Sequence, residues 1–61
     1  MQAIAVYLKK NGEERRRSIQ LPDYVRNAYV RGDRNPMEAY LVKKISKIDS
    51  NFDKLVIIDL R

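Results

Sequence analysis

The sequence predicts an α+β fold of outline ββ(α)αβ, a three-stranded, mostly antiparallel sheet with one main amphipathic helix packed on one face. Three observations carry that expectation. Gln2 to Lys10 alternates in the strand period and runs into Asn11-Gly12, a strong hairpin signal. Asn35 to Asp49 repeats apolar residues in the helix period. Phe52 to Leu60 is a short apolar run of strand-forming residues after the loop residues Ser50 and Asn51.

In the first strand Ile4, Val6 and Leu8 alternate with Ala3, Ala5 and Tyr7. If Asn11 and Gly12 form a two-residue type I′ turn, the return strand is Glu13 to Leu21 and the register is fixed. Lys10 then faces Glu13, Lys9 faces Glu14, Val6 faces Arg17 and Ile4 faces Ile19. This register puts Ile4, Val6, Leu8, Ile19 and Leu21 on the core side. Ala3, Ala5, Tyr7, Arg16, Ser18 and Gln20 lie on the other, with Tyr7 opposite Arg16.

Pro22 to Arg31 places Tyr24, Val25, Ala28 and Tyr29 on one stripe of a short helix, which Gly32 ends in a left-handed conformation. Arg31-Gly32-Asp33 therefore reads as a helix stop, not as an integrin ligand. In the main helix Asn35 is the expected N-cap, Pro36 suits the first turn, and Glu38 completes a capping box. Met37, Leu41, Ile45 and Ile48 form its core stripe, while Tyr40, Lys43, Lys44 and Lys47 share a neighbouring flank. The last strand sends Val56, Ile58 and Leu60 one way and Leu55 and Ile57 the other, so both its faces need cover. Placed beside the first strand it gives the order 2-1-3, with an apolar edge that favours pairing with a second chain; the alternative, a parallel pairing beside the second strand, is less favoured.

At 61 residues the chain is expected to be one domain, 1–61. A domain this small buries only about 60% of its unfolded surface and gains from oligomerisation, so a homodimer is expected. The chain has neither cysteine nor histidine, which removes disulfides, thiolate and imidazole metal ligands and the usual general base. Ser18, Ser46 and Ser50 have no histidine to activate them, and there is no glycine-rich phosphate loop. Asp49, Asn51 and Asp53 are spaced like the start of a calcium loop. Lys54 stands where that loop needs glycine, and Leu60 where it needs an acid. No enzyme activity, metal or cofactor is therefore expected. No apolar run is long enough for a membrane span, and the expected location is cytoplasmic.

Thirteen Lys and Arg against eight Asp and Glu give a formal charge of +5. A net charge of that size also serves plain solubility. As a functional signal it points to an anionic partner, DNA or RNA first and an acidic protein surface second. Two clusters could make the contacts. Arg15, Arg16 and Arg17 lie on the return strand with Tyr7 alongside, and Lys43, Lys44 and Lys47 surround Tyr40 on the main helix. Lysine and arginine would hold phosphates while a tyrosine ring stacks on a base. The expected function is a small, non-enzymatic nucleic-acid-binding or regulatory protein.

Two alternatives stand beside it. The strand-strand-helix-strand layout is similar to that of phage-encoded inhibitors that dock on host enzymes. A protein-binding module of that kind would use the basic hairpin and the apolar edge strand. Arg16 to Ile48 also resembles a ribbon-helix-helix repressor: a polar–apolar strand ending in Leu21-Pro22, a helix, a glycine turn and a second capped helix. The resemblance implies a dimer whose paired strands insert Arg16, Ser18 and Gln20 into the major groove of DNA. Two features differ from that family, a first helix several residues short and an extra strand before the ribbon.

Overall fold

The computed structural model describes residues 2–60. Strand β1 (Gln2–Lys9) and strand β2 (Glu14–Gln20) lead into helix α1 (Asp23–Val30), helix α2 (Asn35–Ile48) and strand β3 (Phe52–Leu60). The sheet is open, has the order β2-β1-β3 and is antiparallel throughout.

The hairpin is where sequence and structure part. Of its two turn residues only Gly12 has a positive φ, 86°, so a type I′ turn is not formed. Instead the Gly12 N–H donates to the Lys9 carbonyl at 2.9 Å and the Lys9 N–H donates to the Glu13 carbonyl at 2.8 Å. Lys10, Asn11 and Gly12 thus make a three-residue loop, with Gly12 as the left-handed residue next to the returning strand. The Asn11 side-chain oxygen accepts the Glu13 N–H at 2.9 Å and stiffens the loop.

One extra loop residue moves the pairing by one. Leu8 pairs with Glu14, Tyr7 with Arg15, Val6 with Arg16, Ala5 with Arg17, Ile4 with Ser18 and Ala3 with Ile19. The expected pairs of Lys10 with Glu13 and Lys9 with Glu14 are not made across the ladder. Lys9 instead approaches Glu13 at 3.8 Å and Asp49 at 3.9 Å.

The slip decides which side of β1 meets the helices. Ala3, Ala5 and Tyr7 lie in one buried cluster with Ile19, Leu21, Val25 of α1 and Met37, Leu41 and Ile45 of α2. Ile4 and Leu8 are only half-buried, so the face expected to be the core is the other one. Size explains the choice: the alanines leave room for the large Met37, Leu41 and Ile45 side chains to come close. Tyr7 fills the end of the cluster, with its ring tilted against Phe52 at a centroid distance of 5.6 Å.

Strand β3 adapts by two register shifts against β1, between Val6 and Tyr7 and between Leu8 and Lys9. Each shift inserts a residue and changes the alternation that follows. Leu55 therefore joins Ile58, Leu60 and Phe52 against the core, although strict alternation would send it to the opposite face. Ile57 stays on that opposite face, paired with Val6.

The helices follow their sequence signals with small changes. Gly32, at φ 91°, lets its N–H donate to Tyr29 and the Asp33 N–H donate to Ala28, both at 2.9 Å, a Schellman closure of α1. Asn35 is the first residue of α2 and not its cap. The cap is Arg34, which makes no side-chain capping bond, and the Asp33 carboxylate accepts the Asn35 N–H at 3.1 Å. Ile48, expected on the core stripe, is 45% exposed at the helix end.

Candidate nucleic-acid interface

Tyr40, Lys43, Lys44 and Lys47 project from successive turns of the same α2 flank, and the fold sets them against α1. Together with Tyr24, Pro36 and Ala39 they line a groove of about 450 Å³, a size typical of sites that take small organic ligands. No carboxylate lines it. Tyr24 is 62% exposed and Tyr40 is half-buried, so one ring stands free beside another that is held in place. Among the described residues none of the three lysines forms an ion pair. A second groove continues past Tyr40 and Lys44 to Ser18, Gln20 and Ile48, again without a carboxylate. A surface without carboxylates therefore runs from Tyr24 of α1 across the lysines of α2 to Ser18 and Gln20 of β2.

Tyr24 was not among the residues singled out as binding candidates in the sequence. At 100° per residue it stands about 100° from Val25 and about 140° from Tyr29, on the margin of the α1 stripe. That offset was the available signal, and the burial of Val25 and Ala28 bears it out.

The three arginines divide between the two faces of the hairpin ladder. Arg15 and Arg17 pair with Tyr7 and Ala5 on the helix side of the sheet, while Arg16 pairs with Val6 on the opposite side. Arg15 is held by Glu13 at 3.1 Å. Tyr7, expected as a stacking ring next to Arg16, is 1% exposed and pairs with Arg15. Its hydroxyl donates to Asp49 at 3.1 Å. Burial removes this ring from any stacking role.

Tyr7, Lys9, Arg15, Arg16, Arg17 and Asp49 line a polar recess at the hairpin end. Asp49 is its centre. The Asn51 N–H donates to one carboxylate oxygen at 3.0 Å, Tyr7 to the other, and Lys9 lies 3.9 Å away. These contacts hold the Asp49 carboxyl below its ordinary range, the Asn51 bond contributing most. An anion entering this recess would meet a carboxylate whose oxygens already have partners.

The lowered value makes a pH prediction. The stability that Asp49 supplies is present above the unfolded carboxyl value and is lost as pH falls through the folded one. Urea midpoints measured between about pH 5 and pH 2 should fall for the native protein. Asp49→Asn should be less stable at neutral pH and show a shallower decline in acid. An unchanged slope would detach the decline from Asp49.

Strand β2 pairs with β1 along its length and keeps one open edge, so Arg16, Ser18 and Gln20 sit beside Val6, Ile4 and Gln2 of β1, not on an isolated ribbon. Helix α1 has only eight residues. Both points are the departures from the ribbon-helix-helix pattern that the sequence shows. No helix among the described residues is long and apolar enough to cross a membrane. Compared with protein-family models, with curated proteins and with solved structures, the chain matches none.

Proposed function

We propose that the protein is a small, non-enzymatic binder of single-stranded nucleic acid that works in the cytoplasm through the α1–α2 groove. The observation that carries this reading is a groove with two tyrosines, three lysines and no acid. Lys43, Lys44 and Lys47 neutralise successive phosphates, and Tyr24 offers an exposed face on which a base can stack. Tyr40, half-buried, sets the depth of the groove. Stacking of this kind tolerates any sequence, because every base has a π-face. A duplex hides those faces, so the arrangement favours a single strand.

The placement of charge favours this reading over a protein-binding module built on the hairpin and the edge strand. Such a module needs basic residues around the bare apolar edge, but β2 carries the arginines on one edge of the sheet and β3 forms the other. The two features that would have to coincide lie a strand apart.

The test is fluorescence anisotropy with labelled DNA and RNA, single-stranded and duplex, at ~50 and ~200 mM salt. The expected result is micromolar or tighter binding to single strands that weakens steeply with salt, with duplex binding weaker. No binding at low salt would reduce the +5 charge to a solubility device. Tighter binding to duplex would move the contact away from the tyrosines.

A further inference from the structure

Among the described residues no element lies over the face of the sheet turned away from the helices. Its middle is apolar: Ile4, Val6 and Leu8 of β1, with Ile57 of β3 paired beside Val6. Ile57 is 54% exposed, whereas Val6 is 7% exposed because its neighbours on both strands shelter it. Ile57 thus stands exposed beside a row in which Ile4 and Leu8 are half-buried and Val6 is covered.

The rim of this face identifies the occupant. Glu14 and Lys54 flank Leu8 on opposite sides, Arg16 flanks Val6, and Asp59 flanks Ile4. Two acids and two bases leave the face neutral, in a chain of formal charge +5. Among the described residues none of these four charges is paired within the chain. A polyanion has no reason to choose this face over the lysine groove, and neither does a strongly acidic protein.

A second copy fits. A two-fold axis running along the strands lays β1 on the partner's β1 and β2 on the partner's β3. Each Glu14 then lies over a Lys54, and each Arg16 lies over an Ile57, its aliphatic stem on that side chain and its charge one row from an Asp59. The Ile4, Val6 and Leu8 rows meet their own copies at the two-fold, as an isologous interface requires. An axis across the strands, centred on the Val6 row, would put Lys54 over Asp59 and Ile57 on Ile57, but it sets the two Arg16 charges on each other and leaves Glu14 over Ser18. We infer that the protein forms a two-fold dimer by stacking these open sheet faces along the strand direction. The stacked sheets are about 10 Å apart with interleaved side chains, and both lysine grooves stay open on the outer sides.

Analytical ultracentrifugation over a concentration series tests this without reference to nucleic acid. The native protein should sediment at twice the chain mass. Ile57→Lys, at an exposed position, should weaken association about tenfold or more while circular dichroism stays unchanged. Glu14→Lys alone and Lys54→Glu alone should each weaken it, and the double exchange Glu14→Lys with Lys54→Glu should restore it. That rescue cannot come from a folding defect. A native protein that stays monomeric at all concentrations would overturn the dimer. A dimer unaffected by Ile57→Lys would place the interface elsewhere, and two singles that weaken association with no recovery in the double exchange would overturn the strand-parallel axis.

Discussion

Leu41→Ala should remove about 2–5 kcal/mol of stability, the usual cost of a large-to-small change at a fully buried site. Leu41 is completely buried in the cluster that joins α2 to Ala3, Ala5 and Tyr7. A chain of 61 residues has a total stability of about 3–9 kcal/mol at typical values per residue. The variant should therefore lose a large share of its stability, seen as a marked fall in the urea midpoint or, where the native value lies at the low end, as loss of the helical circular dichroism signal. Ile48→Ala, on the same sequence stripe but half exposed, should cost about 1 kcal/mol or less. The pair is informative because helix periodicity alone makes the two positions equivalent. Equal losses would mean that the last turn of α2 is packed as firmly as its middle.

Changing Lys43, Lys44 and Lys47 together to Ala should produce the largest change in binding. Each lysine that meets a single-strand phosphate contributes about 0.7 to the slope of log affinity against log salt. Three contribute about 2. Their loss weakens binding several-hundredfold at ~50 mM salt and about thirtyfold at ~200 mM, with a correspondingly flatter slope. The fold should survive, since the three side chains are exposed and alanine is the best helix former. Changing Arg15, Arg16 and Arg17 to Ala should do less, because Arg15 already has Glu13 as a partner and Arg16 faces the other way. Equal losses from both triple variants would mean diffuse attraction by the whole chain and not a groove.

Much of the fold was legible, because its signals are local. The strand period up to Asn11, the glycine after α1, Pro36 and Glu38 in the first turn of α2 and the apolar run from Leu55 each act within a few residues. Together they give the elements and favour the order β2-β1-β3, which the structure has, over a parallel pairing of β3 with β2. The register was not legible for a physical reason. Asn-Gly serves both a two-residue and a three-residue loop, and the choice rests on the φ of Asn11, which tertiary packing decides. Once the loop gained a residue, the two faces of β1 changed places. Alternation between alanines and larger residues could not show which side the helix would take, since either set can face a core. The bulges of β3 were hidden likewise, as they exist to bring Phe52 and Leu55 to the side that the slip had chosen.

The candidate site was legible where it lay on a single element. Tyr40 and its three lysines belong to one helix, and their common flank follows from spacing alone. Tyr24 entered through the contact of α1 with α2, which no periodicity reveals. Tyr7 and the arginines depended on the hairpin register, so they moved with it.

The measurement that tests the central claim most directly is a titration of the ¹⁵N-labelled protein with a short single-stranded oligonucleotide, followed by amide chemical shifts. The groove reading predicts the largest shifts at Tyr24, Tyr40, Lys43, Lys44 and Lys47, with the open sheet face around Val6 and Ile57 unmoved. Shifts confined to β2 and the hairpin around Arg15 to Arg17, with α2 silent, would contradict it.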